Sequence, residues 1–199
     1  MKLLKKVPEA AMVAAFLKAE FSSARFSHDV KHAVTTFGAN ENIIADPNLE
    51  SQTENELRSQ ILGEYRGYGR NREIFEGIPS DLTWYEAELT KGEIGGLHYI
   101  DYSYWNELTS NTHRVEDAVT TIKEGKTVFN VSNDEVLAFA EDIRGGEYNV
   151  GPMILWGEAK DSVFEILEGH SRATALGLAG NKAPETIQVI VGLRQPAIL

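Results

Sequence analysis

Apolar residues recur at helical spacing behind Pro8: Ala11, Ala14, Ala15 and Leu17 line one face of a helix predicted to run to Phe21, with the proline in its first turn. Residues 38–53 are polar and turn-rich, the pattern of a loop. Thr53 followed by Glu56 has the spacing of a capping box and predicts a helix to about Leu62. Residues 63–79 hold four glycines and three arginines and read as irregular. Thr83 and Glu86 repeat the capping-box spacing and predict a second helix to about Leu89. The aromatic run 97–108, LHYIDYSYWNEL, suits a short strand followed by a helical turn. Val115, Ala118, Val119 and Ile122 define another helix, which Gly125 stops. A further one opens at residues 132–135 and ends at Gly145 and Gly146.

The last fifty residues change period. Residues 151–156, GPMILW, form a predicted strand, 157–162 a turn, and 163–167, VFEIL, a second strand able to pair with the first as a hairpin. A short helix follows to Gly180, and residues 183–193 supply a last strand. The predicted class is α/β (α+β): a mostly helical region over residues 1–95 and an α/β region with a small mixed sheet over 96–199. No flexible linker marks the join, so the halves are expected to pack as one body.

Composition narrows the function classes. The chain of 199 residues is 42% hydrophobic, enough for a core without staples, and it contains no cysteine. Disulfides, thiolate nucleophiles and thiolate metal sites are therefore out. The lysines and apolar residues at the N-terminus lack the uninterrupted apolar stretch and cleavage site of a signal peptide, and no segment reaches the roughly 20 apolar residues of a membrane span. A cytoplasmic protein is expected. The formal charge of −11 argues against a partner held through a phosphate backbone, so DNA is disfavoured.

The strongest local signal is the junction Glu168-Gly169-His170-Ser171-Arg172, where the second hairpin strand becomes a helix. A helix start presents backbone amides without intrahelical acceptors and the positive end of the dipole, which suits phosphate. Gly169 permits a sharp turn and close approach of a ligand. Ser171 reads either as a helix cap or as a phosphate ligand, and Arg172 either as a solvated first-turn residue or as a bidentate fork for an anion. His170 has the chemistry of a donor, a proton carrier or a metal ligand.

These residues also carry a resemblance. FEILEGHSRATALGLAG followed by IQVIVG resembles the core of the ParB/sulfiredoxin-like superfamily, in which a hairpin strand leads into a G-x-x-R-x-x-A signature at a helix start and a strand follows. The likeness covers residues 148–192 and extends faintly over 97–147. It implies a nucleotide at the helix start, ATP or another one with Mg²⁺, its phosphates held by Gly169, His170, Ser171 and Arg172. It further implies a phosphotransferase or nucleotidase, with Glu168 the first carboxylate to consider for catalysis. Sulfiredoxins have their cysteine where this chain has His170, so that chemistry is excluded. ParB partition proteins carry consecutive arginines where this chain has Ser171 before Arg172. The alternative to an enzyme is a DNA-associated or regulatory interaction module.

Other clusters are weaker. His28 and His32 lie one turn apart, but Asp29 stands where a zinc-protease pattern needs glutamate, and they read as surface histidines. Arg66, Arg70 and Arg72 with Tyr65 and Tyr68 form a basic island that reads as a loop paired with Glu64, Glu73 and Glu76. Asp101, Glu107 and residues 112–114 are further candidates for a carboxylate or an anion contact. The aromatic wall of His98, Tyr99, Tyr102, Tyr104 and Trp105 suits either a base platform or core packing.

Overall fold

The computed structural model describes residues 1–148 and 151–197. In chain order the elements are β1 (Lys2–Lys6), α1 (Glu9–Phe21), α2 (Ser27–Thr36), α3 (Asn42–Ala45), α4 (Gln52–Arg66), β2 (Thr83–Thr90), α5 (Ser103–Leu108), α6 (Val115–Lys123), α7 (Asp134–Arg144), β3 (Met153–Gly157), β4 (Glu165–Glu168), α8 (His170–Ala179) and β5 (Thr186–Leu193). Helix takes 46% of the chain and strand 17%, and the strands form one five-stranded mixed sheet, an α+β fold. The chain divides into two units, one of Met1–Lys5 with Tyr85–Leu199 and one of Lys6–Trp84.

The sheet order is β1-β2-β5-β3-β4. β3 runs parallel to β5 and antiparallel to β4, which confirms the expected hairpin. The β3–β4 register slips by one residue: Ile154 faces Glu168 while Leu155 faces Ile166, leaving Leu167 as the extra residue of a bulge. Bulges redirect the residues beside them. Here the bulge directly precedes Glu168, at the end of the strand that feeds α8.

Residues 83–90 form a strand and not the predicted helix. Tyr85, Ala87 and Leu89 are buried while Glu86 and Glu88 lie between them, part-exposed. That alternation of period two outweighs the capping-box spacing, because each outward glutamate meets a lysine of β1 (Lys5–Glu86 3.2 Å, Lys2–Glu88 3.8 Å). The capping box that does form is one element later, between Thr90 and Glu93. The N-terminal lysines likewise belong to a strand, whose mostly exposed surface left no apolar periodicity to read. The helix expected to stop near Leu62 continues to Arg66, where Gly67 closes it in the left-handed conformation (φ 79°).

In the unit containing the sheet, Met153, Leu155, Ile166, Val189 and Val191 join one core with Val115, Ala118 and Ile122 of α6, Ala140 and Ile143 of α7, and Ala173 and Leu176 of α8. Each fully buried aliphatic side chain contributes roughly 1.5–3 kcal/mol. Gly177 lets α8 approach α6: a Cβ there would stand 2.7 Å from a Val119 methyl. The other unit is helical. Its central device is Arg58, fully buried on α4, which donates to the carbonyls of Ile43 (2.7 Å) and Asn48 (3.0 Å) and so organises the loop before its own helix.

Candidate functional site

The junction after β4 is built as a tight, left-handed entry to α8. Gly169 has φ 101°, a conformation that favours glycine. It is also packed from the side: a Cβ would lie 2.7 Å from Met153 Cγ and 3.3 Å from Arg172 Nε. The glycine thus serves the packing of β3 against the arginine, in addition to turning the chain. Among the described residues no side chain caps the helix. The first bond of the ladder runs from the Ala173 amide to the Gly169 carbonyl (2.9 Å), so the earlier amides of the turn have no intrahelical acceptor.

The structure brings Glu168, Gly169 and Arg172 together. Arg172 is buried, and its two terminal nitrogens donate to the Glu168 carboxylate and to the Gly151 carbonyl. The guanidinium charge also acts on Tyr148, whose phenol is pushed up by burial and drawn back by Arg172. Ser171 stands apart from this pairing: it is exposed on the first turn.

His170 faces an aromatic stack. Tyr99 and Trp105 lie parallel, centroids 4.2 Å apart and planes 4° from coplanar, and the His170 ring stands 5.6 Å from Trp105 and 6.0 Å from Tyr99 in nearly the same orientation. Backbone pairing sets this arrangement. The His98 amide donates to the Phe164 carbonyl and the His98 carbonyl accepts from the Ile166 amide, laying the segment beside β4. Tyr99 is thereby carried under α8, where its hydroxyl and that of Thr174 share a hydrogen bond (2.8 Å). Burial pushes the Tyr99 phenol far above its usual range, so it stays protonated. The aromatic run is thus core at Tyr99, half-buried at Trp105 and exposed at Tyr102.

A second titratable group lies at the outer end of the hairpin. Trp156 Nε1 donates to Glu165 (3.0 Å), and burial raises the Glu165 carboxyl, with His113 opposing and Asp101 reinforcing the shift. Burial lowers His98, and the positive charges of His113 and Arg114 lower it further. Glu165 and Tyr148 escaped sequence reasoning, because no spacing singles either out and Trp156 meets Glu165 only once β3 and β4 pair.

The remaining candidates lie elsewhere. Arg66 is held by the buried Glu20 (2.6 Å) and lies over the rings of Phe26 and Tyr65, each 4.4 Å away. Arg70 pairs with Glu64, as its sequence neighbourhood suggests, and Arg72 donates to the carbonyls of Gly63 and Glu64. His28 and His32 are exposed on α2. Arg114 pairs with Glu116 (2.7 Å), Asp101 accepts from Asn106 (2.7 Å), and Glu107 is exposed on α5. Among the described residues no group of three or more His, Cys, Asp or Glu is placed to hold a metal ion, and no helix is long and apolar enough to cross a membrane.

Comparison with known proteins returns no matching family model, no matching curated protein and no matching solved structure.

Proposed function

We propose that the chain binds a nucleotide or another phosphate-bearing small molecule at the start of α8, in the manner its resemblance to ParB/sulfiredoxin-like proteins implies. The observation that carries this reading is the uncapped first turn of α8, entered through a left-handed glycine, with a buried arginine behind it. Amides of the first turn and the Ser171 hydroxyl would receive phosphate oxygens, with the helix dipole adding favourable charge. Trp105 and His170, half-buried beside the turn with the buried Tyr99 behind them, offer aromatic faces suited to a base.

Mg²⁺ fits this site in one way only. Among the described residues no three ligands form a cage, so the ion would be held by phosphate oxygens and water, with Glu168 the carboxylate adjoining the turn in sequence. Bound there, it would neutralise charge on phosphate during transfer or hydrolysis. The chain's own part is to orient: Arg172 fixes Glu168 at the end of β4, and the stack fixes the His170 ring. A phosphotransferase or nucleotidase activity is the enzymatic form of this reading.

A non-catalytic interaction module is the second reading. It is favoured by the engagement of Arg172 with Glu168 and Gly151, the pattern of a structural arginine.

Calorimetric titration with ATP, ADP, CTP and GTP in Mg²⁺ decides between them, using wild type and Ser171→Asp. An aspartate in the first turn suits the helix dipole and preserves folding, yet repels a phosphate. Binding that Ser171→Asp weakens at least tenfold supports the phosphate site. No heat from any nucleotide, with folded wild type and with a folded Glu168→Gln variant alike, overturns it and leaves the interaction module.

A further inference from the structure

Glu168 precedes Arg172 by four residues across the strand-to-helix junction, and the two side chains are 15% and 9% exposed. A guanidinium binds carboxylate and phosphate with the same planar fork. One terminal nitrogen of Arg172 is given to Glu168 and the other to the Gly151 carbonyl, while the Nε edge faces Gly169. A phosphate that reached Arg172 would therefore meet an arginine whose fork already holds an anion.

Resting on the phosphate-site reading above, we propose that Glu168 is an internal competitor for that site, so that ligand binding exchanges one anion for another at Arg172. The carboxylate is part of the chain and never diffuses away, so it lowers the observed affinity by the fraction of time the fork is open. A phosphate carries more charge than a carboxylate and gains the helix amides in addition, which lets it displace Glu168. The exchange leaves the displaced carboxylate at the end of β4, next to the bound phosphate. Glu168 thereby becomes available for the acceptor or a metal only when the site is filled. Occupancy of the site and readiness of the carboxylate are one event.

The test is titration of wild type, Glu168→Gln and Glu168→Asp with ATP and with tripolyphosphate, first in EDTA and then with Mg²⁺. Near-ultraviolet circular dichroism establishes that each variant is folded. In EDTA the glutamine variant is expected to bind at least tenfold more tightly than wild type, since it keeps the shape and removes the competing charge. The aspartate, one methylene shorter, is expected to fall between them. Should Glu168→Gln fail to fold, the aspartate variant carries the comparison in the same direction. Wild type that binds while the folded variants bind equally or more weakly in EDTA overturns the competitor and leaves the phosphate site standing. Absence of binding in wild type and every folded variant overturns the phosphate site itself. Binding by Glu168→Gln alone supports both.

Discussion

The indole of Trp105 lies 5.6 Å from the imidazole of His170 with their planes 14° apart, so a residue of α5 sets the orientation of the first residue of α8. Trp105 is in turn stacked on the buried Tyr99. Trp105→Ala removes both contacts and is expected to destabilise the protein by about 2–3 kcal/mol. Trp105→Phe, which keeps a ring, should recover most of that loss. Urea unfolding of the two variants checks the stability, and nucleotide titration should show weakened binding in the alanine variant alone.

Gly169→Ala faces two costs, a left-handed φ of 101° and a Cβ 2.7 Å from Met153 Cγ. Together these are expected to cost about 2–4 kcal/mol. Adding Met153→Ala relieves the clash and leaves the backbone strain, while opening a cavity of its own. The double variant should therefore not regain wild-type stability, and a thermal melt of the three proteins measures this.

Gly177→Ala drives a methyl group into Val119 across the α6–α8 contact, at 2.7 Å. The gain in helix propensity, about 1 kcal/mol, is smaller than the overpacking, and a net loss of roughly 1–2 kcal/mol is expected. Val119→Ala in the same chain makes room for the methyl. A double-mutant cycle should show a favourable coupling between the two changes.

Acid should weaken the protein through His98. Burial, His113 and Arg114 hold its folded pKa below the ordinary 6.5. The unfolded chain then binds the proton more readily, so stability rises with pH through this window and is lost as pH falls below about 6.5. Glu165, packed beside the same segment, acts in the opposite sense, because its raised pKa favours the folded state on acidification. The comparison therefore has to be against His98→Asn. Urea midpoints at pH 7.5 and 5.5 should fall further for wild type than for the variant.

Arg58→Met leaves the carbonyls of Ile43 and Asn48 without their buried donor. The expected loss is about 3–5 kcal/mol, since burial of orphaned polar groups costs more than the new apolar contacts return. Chemical denaturation checks the loss, and limited proteolysis should cut within residues 43–51 of the variant first.

The α+β class and the order strand, strand, helix, strand at the C-terminus were legible because each element carries its own period and its own stop. Gly125 after α6 and the hairpin before α8 are local instructions. So was the junction at Gly169, where a glycine must precede a helix that follows a strand immediately. Residues 83–90 were misread for a physical reason: a capping box and a strand of alternating period share the same letters, and the lysines of β1 that favour the strand are some eighty positions away. The partners of Arg172 were equally illegible. Glu168 is a neighbour in sequence, but the carbonyl of Gly151 reaches the guanidinium only because β3 lies beside β4, and His170 meets Trp105 only because His98 pairs beside β4. Sequence by itself determined where the chain turns and which side chains stand at the turn into α8. Tertiary structure alone decided what each of them touches, because burial and pairing depend on segments that the chain order keeps apart.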